Sequence, residues 1–138
     1  MNTRNEVCYV LVGKQLGRLF LGKLVKKSVG SPSLVEFDWE WVLKREEKKE
    51  DVLGFWHTHP HGAEPSERDI KTMRAWVSCF NKPLFCVIQA NHRRDVSILR
   101  FWISNDSDRG MISFSASKFF RFFDHFLAIW SLYGTFPP

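Results

Sequence analysis

Between Gly54 and Ile70 the chain reads GFWHTHPHGAEPSERDI, and three of these side chains have the types and spacing of metal ligands. An extended strand points successive side chains to opposite faces, so His57 and His59 project from one face and Thr58 from the other. Two imidazoles placed in this way can meet one ion. A catalytic zinc takes three protein ligands and keeps a fourth position for water, so one carboxylate would complete the set. Asp69 is placed to supply it, because a short loop after Pro60 can turn the chain and bring the first turn of a following helix back to the strand end. Ser66 shares that location, and a hydroxyl held beside a metal can donate to an oxyanion as charge develops. The chemistry expected of this set is hydrolysis at one zinc ion with a bound water.

Each half of the pattern also has an ordinary structural use. His-x-His alone is weak evidence of a ligand pair, and Ser66-x-x-Asp69 alone is a capping box, in which a hydroxyl and an acid satisfy the free amides of a helix start. The two gain weight together, in the order strand, His-Thr-His-Pro, short loop, Ser-x-x-Asp, helix.

The elements that must position these residues can be read from the apolar pattern. Residues 6–13, EVCYVLVG, form a β-branched run closed by Gly13, which predicts a buried strand, a turn over 14–17 and a hairpin partner over 18–29. Gly30, Ser31, Pro32 and Ser33 break the pattern. Asp38 is a candidate N-cap for a helix running to about Lys49. Residues 52–59 predict a strand ended by Pro60, which cannot donate a ladder hydrogen bond. Ser66 opens a helix on whose apolar face lie Ile70, Met73, Trp76, Val77 and Phe80, with Asn81 and Pro83 ending it. Strands are expected over 84–89 and 96–103. From Ser117 to Leu132, residues Phe119, Phe122, Phe123, Phe126, Leu127 and Trp130 fall on one helical stripe, with Arg121 and Asp124 off it, predicting an amphipathic helix that covers a sheet. Left exposed, such a stripe would predict a dimer or a complex.

The 138 residues, 44% of them hydrophobic, suit one domain over 1–138 with an ordinary packed core. The formal charge of +5 is spread over Lys26-Lys27, the mixed run 44–50 and Arg93-Arg94, which reads as solvated surface, so nucleic acid is not the expected partner. Cys8, Cys79 and Cys86 are odd in number and lack CxxC spacing, which fits a reducing cytoplasm. The apolar run Val7 to Val12 is too short for a signal sequence or a membrane span, so neither secretion nor a membrane partner is expected.

With these residues in view, the sequence resembles the JAMM zinc metalloproteases, also called JAB or MPN-plus, over Glu6 to about Ile103. Their signature is a distant Glu, then His-Ser/Thr-His-Pro, a short loop and Ser-x-x-Asp. The resemblance implies an α/β fold of the α+β type, a single JAB/MPN-like domain with a mixed, largely antiparallel β-sheet flanked by helices. It implies that His57, His59 and Asp69 bind zinc and that Ser66 stabilises the oxyanion. Glu6, standing before the apolar run EVCYVLVG, matches the family's general base, which takes a proton from the zinc-bound water and hands it to the leaving amine. Glu36 and Glu40 are rival bases on position alone. His61 and Glu64 are expected in the loop near the substrate cleft, and His92, Arg93, Arg94 and Asp95 in a polar hairpin turn. The chain departs from the family in two places. Only five residues separate Pro60 from Ser66, one fewer than usual, and only five precede Glu6, where a helix is common. A strand start so near a chain end frays readily, which predicts a partner or an N-terminal contact that holds Glu6.

The family cleaves peptide or isopeptide bonds at the C-terminus of ubiquitin or ubiquitin-like proteins, so the resemblance implies a deubiquitinase-like enzyme. The chain is similar in compactness to stand-alone prokaryotic members. Some of those are associated with ubiquitin-like conjugation systems, including antiphage operons, and their activating and conjugating enzymes are then expected partners. Others trim sulfur-carrier proteins. RadC-like proteins, with His-Asn-His-Pro and a similar Ser-x-x-Asp, offer a nucleic-acid-associated alternative; Thr58 in place of Asn leans towards the peptidases.

Overall fold

The apolar run after Glu6 becomes β1 (Val7–Leu16), and Gly17, at φ 64°, turns it into β2 (Leu19–Val29). A two-residue hairpin loop needs a positive φ, which glycine adopts without a Cβ penalty. The computed structural model describes residues 6–30, 37–60, 62–90, 96–103, 112–117 and 119–130. Of the predicted break at Gly30 to Ser33, Ser31, Pro32 and Ser33 lie outside them. Helix α1 (Trp39–Lys49) starts where expected, with the Asp38 carboxylate accepting from the Trp41 amide at 3.1 Å. Glu40 lies in its first turn and Lys48 and Lys49 in its last, which suits the helix dipole. The next elements are β3 (Val52–His59), α2 (Glu67–Phe80), β4 (Leu84–Ala90) and β5 (Val96–Ile103), all close to the predicted spans.

Beyond Ile103 the prediction fails. In place of a helix over 117–132 there are three strands, β6 (Ile112–Ser117), β7 (Phe119–Phe123) and β8 (Phe126–Trp130). Asp124 takes φ 58° at the turn between β7 and β8, a conformation that Asp tolerates well. Either side of it the residues alternate. Phe120, Phe122, Leu127 and Ile129 face a core cluster, while Phe123, Phe126 and Trp130 are exposed. Of the predicted helical stripe, Phe122 and Leu127 face this core, while Phe123, Phe126 and Trp130 turn outward. What decides between helix and strand is that β8 finds a partner in β2, from Leu19↔Trp130 to Lys23↔Phe126, which the local sequence does not contain.

Among the described residues the strands form one mixed sheet in the order β6-β5-β4-β3-β1-β2-β8-β7, antiparallel except for β3 and β4. A parallel pair needs a crossover, and α2 is that crossover, so the end of β3 leads directly into the start of α2. Both helices pack on one face. Val42 of α1 and Met73, Trp76 and Val77 of α2 meet Val10, Phe55, Cys86, Ile88 and Leu99 of the sheet. The rings of Trp39 and Trp76 lie 4.6 Å apart and both touch Phe55, which ties the two helices to β3 two residues before His57. No described helix covers the other face, and the sheet buries it by curling. Phe20 on β2 reaches Phe85 on β4 at 4.9 Å, although two strands stand between them and adjacent strands are spaced by about 4.8 Å. The buried guanidinium of Arg100 on β5 lies over both rings, at 4.9 and 5.6 Å. No helix among the described residues is long and apolar enough to cross a membrane.

Gly54 shows how tightly β3 and β4 approach, since a Cβ built there would stand 2.0 Å from the carbonyl oxygen of Phe85. That atom belongs to backbone and cannot swing aside. Gly54→Ala is therefore expected to destabilise by about 3 kcal/mol or more, lowering the thermal midpoint by roughly 10 °C. Thermal unfolding followed by circular dichroism measures it.

Candidate metal centre

The candidate ligands gather at the C-terminal end of β3. Strand alternation puts His57 and His59 on the helix-covered face, as the sequence predicts, and α2 starts close enough for Asp69 to meet both. The two His Nε2 atoms lie 2.9 Å apart, with Asp69 Oδ1 3.0 Å from His57 and Oδ2 3.1 Å from His59. Three groups carrying lone pairs repel one another at such distances unless a proton or a metal ion stands among them.

Helix capping fixes the carboxylate. Ser66 Oγ accepts from the Asp69 amide at 3.1 Å, and the Ser66 amide donates to Asp69 Oδ2 at 2.8 Å. The predicted capping box is thus present, and it coexists with the ligand set. Ser66 spends a lone pair on the cap, and its hydroxyl proton stays available to donate.

The donor set suits a metal. Two imidazole nitrogens and one carboxylate are a common catalytic zinc set, and bonds of about 2.0–2.2 Å place tetrahedral ligand atoms about 3.3–3.6 Å apart. The two imidazole nitrogens, 2.9 Å apart, need to spread by only about half an ångström to reach that spacing. The two rings are held differently. His59 also bonds to the backbone of Gly62, which fixes the orientation of its ring. His57 is 6% exposed, and its buried Nδ1 has no hydrogen-bond partner among the described residues, so packing between Cys8 on β1 and Ile88 on β4 must orient it.

Electrostatics follow from this geometry. Burial pushes the Asp69 carboxyl up, but the hydrogen bonds of His57 and His59 outweigh it and hold Asp69 far below the usual carboxylate range. His59 is raised, first by its bond to Asp69 and against the effect of burial. Glu6 is raised chiefly by burial, with His59 and His57 acting against the shift, Asp69 adding to it and Arg68 opposing it.

These interactions place Glu6 beside the centre, and strand register explains how it gets there. On the antiparallel pair β1–β3 the last main-chain pair is Cys8↔His57, and the same register continued two residues beyond it sets Glu6 opposite His59. Directly opposed residues share a face, so the Glu6 side chain projects to the side of the two histidines. Glu40 is not brought in. Its carboxylate is 78% exposed and pairs with Lys44 at 3.0 Å on α1. Glu64 is exposed, while Glu36, His61, His92, Arg93, Arg94 and Asp95 lie outside the described residues.

Sequence reasoning missed two contacts. The Thr58 hydroxyl accepts from the Val7 amide at 2.9 Å, and the Gly30 amide donates to the Glu6 carbonyl at 2.9 Å. These supply the N-terminal contact that Glu6 was expected to need. Alternation predicts that Thr58 faces away from the histidines, but its partner depends on the β1–β3 register, which is not a local property.

No curated protein matches the chain significantly. A family model, described as prokaryotic homologs of the JAB domain, matches residues 1–104, which include every residue of the centre. The match covers well over half of the 138 residues, and the chain belongs to the prokaryotic JAB-domain homologues.

Proposed function

We propose that this chain is a zinc-dependent peptidase or isopeptidase that cleaves after the C-terminus of a ubiquitin-like protein. The observation that carries the reading is the convergence of His57, His59 and Asp69 with Glu6 on the same side of the sheet. JAB-family membership supports it, since that family includes many metallopeptidases. A zinc ion held by the three ligands would supply Lewis acidity, lowering the pKa of a water to about 7 and polarising the scissile carbonyl.

The chain's own residues would do the rest. Glu6, kept partly buried, takes a proton from the attacking water and passes it to the leaving amine. Its raised pKa suits both roles, because a base that must later act as an acid works best near the operating pH. Ser66, fixed by its cap, donates its hydroxyl proton towards the carbonyl oxygen as negative charge grows there. Precursor processing and deconjugation use the same chemistry, and the activating and conjugating enzymes of a ubiquitin-like system, an antiphage one included, are the proposed partners. The buried free thiols of Cys8 and Cys86 suit a reducing cytoplasm.

The test is to purify the chain, measure its zinc and incubate it with fusions carrying a peptide after a ubiquitin-like C-terminus. Cleavage that a chelator abolishes and added zinc restores is expected. Cleavage that survives metal removal would overturn the reading, and salt-dependent binding to duplex DNA with no cleavage of any fusion would favour the nucleic-acid alternative.

A further inference from the structure

We propose that Thr58 is a positioning residue for Glu6, acting through the peptide unit that joins Glu6 to Val7; this rests on Glu6 being the proton carrier proposed above. That peptide unit is held from both sides. Its carbonyl accepts from the Gly30 amide, just past the end of β2, and its N–H donates to the Thr58 hydroxyl on β3, each at 2.9 Å. The main-chain pairs between β1 and β3 run only as far as Cys8↔His57. One residue further on, a side-chain hydroxyl takes the place of the carbonyl that a regular rung would use.

The placement of this hydroxyl separates two tasks. Thr58 is 8% exposed and faces away from its neighbours His57 and His59, so it touches none of the metal ligands. What it fixes is the first backbone donor after Glu6. Removing the acceptor leaves that N–H in surroundings where an unmet donor is unfavourable, and the peptide gains by turning out to water. Glu6 then leaves its place opposite His59. The ligands stay where β3 and α2 hold them, so the proton carrier is lost while the metal centre remains.

Thr58→Val keeps the shape and removes the hydroxyl; Thr58→Ser keeps the hydroxyl and removes a methyl. In the zinc-loaded protein, Thr58→Val is expected to retain full metal content and to exchange the Val7 amide with solvent more than roughly 10-fold faster by NMR. Its kcat is expected to fall roughly 10- to 100-fold with KM little changed, as for a displaced catalytic group. Thr58→Ser should restore both exchange and kcat. Unchanged exchange at Val7 in Thr58→Val overturns the proposal whatever the activity, as does fast exchange with a wild-type kcat. Loss of zinc from Thr58→Val also overturns it, since the residue would then be supporting the ligands. If the wild-type chain fails to hydrolyse any fusion, the function proposed above falls, and the exchange comparison still decides whether Thr58 holds the Val7 peptide.

Discussion

Asp69→Ala is expected to lose its metal and all metal-dependent hydrolysis while keeping its fold. The carboxylate stands within 3.1 Å of both histidine nitrogens, and removing it leaves two neutral ligands. Substituting residues that merely support a ligand typically weakens metal binding 10- to 100-fold, so loss of a ligand itself should exceed about 100-fold. The same substitution breaks one of the two capping bonds at the start of α2, at a cost of about 1 kcal/mol. Ser66→Ala separates these effects. It breaks the other capping bond and should lower stability by a similar amount, yet it leaves all three candidate ligands and the Ser66 amide that holds the Asp69 carboxylate, so it should still load with zinc. Its hydrolysis should fall about 10²–10³-fold, the usual effect of deleting one oxyanion donor. Metal content by atomic absorption beside thermal unfolding distinguishes the two variants. Equal zinc in both would remove Asp69 from the ligand set.

Glu6→Gln should show the opposite pattern, full zinc and almost no turnover. The amide is nearly isosteric and cannot take a proton, and general acid–base catalysis contributes about 10²–10⁴-fold, so kcat should drop by that factor. The pH profile carries the sign. Glu6 acts as a base only when deprotonated, so activity falls as pH falls through its pKa. Burial raises that pKa above the ordinary 4.5, so the acid limb of the wild-type profile should lie above that value. Glu40→Ala serves as the control and should be neutral, because its carboxylate is exposed and paired within its own helix. Wild-type turnover in Glu6→Gln would dismiss Glu6 as the base.

How much of this was legible in the sequence depends on how far apart the interacting residues are. The boundaries of β3 and α2 came out nearly residue for residue, because Pro60, Ser66 and Asn81 punctuate them with local chemistry. The His57–His59–Asp69 cluster was legible for the same reason, since one strand–loop–helix crossover contains all of it. Glu6 was different. Its place near His59 follows from continuing the β1–β3 register past its last pair, Cys8↔His57, between segments about fifty residues apart, and nothing near Glu6 encodes that register; a family resemblance was needed to single it out. The aromatic segment after Ser117 was misread because its many apolar residues fit a helical stripe as well as a strand alternation; the strands bury a different set, sharing Phe122 and Leu127 with the stripe and leaving Phe123, Phe126 and Trp130 exposed, and pairing with β2 settles it. Nor does local pattern reveal that the sheet curls to bury its second face, which rests on contacts such as Phe20 with Phe85.

The separate origins of the candidate ligands and the proposed proton carrier have a consequence for handling this protein. His57, His59 and Asp69 belong to one contiguous stretch, so a partly folded or N-terminally clipped chain in which β3 and α2 still pack could hold zinc in full stoichiometry. Such a preparation would pass every metal assay and turn over nothing. On the proposed function, zinc content would count molecules with an intact crossover, whereas only titration of the active fraction would count those in which β1 has also docked, and specific activities should then be normalised to the second quantity.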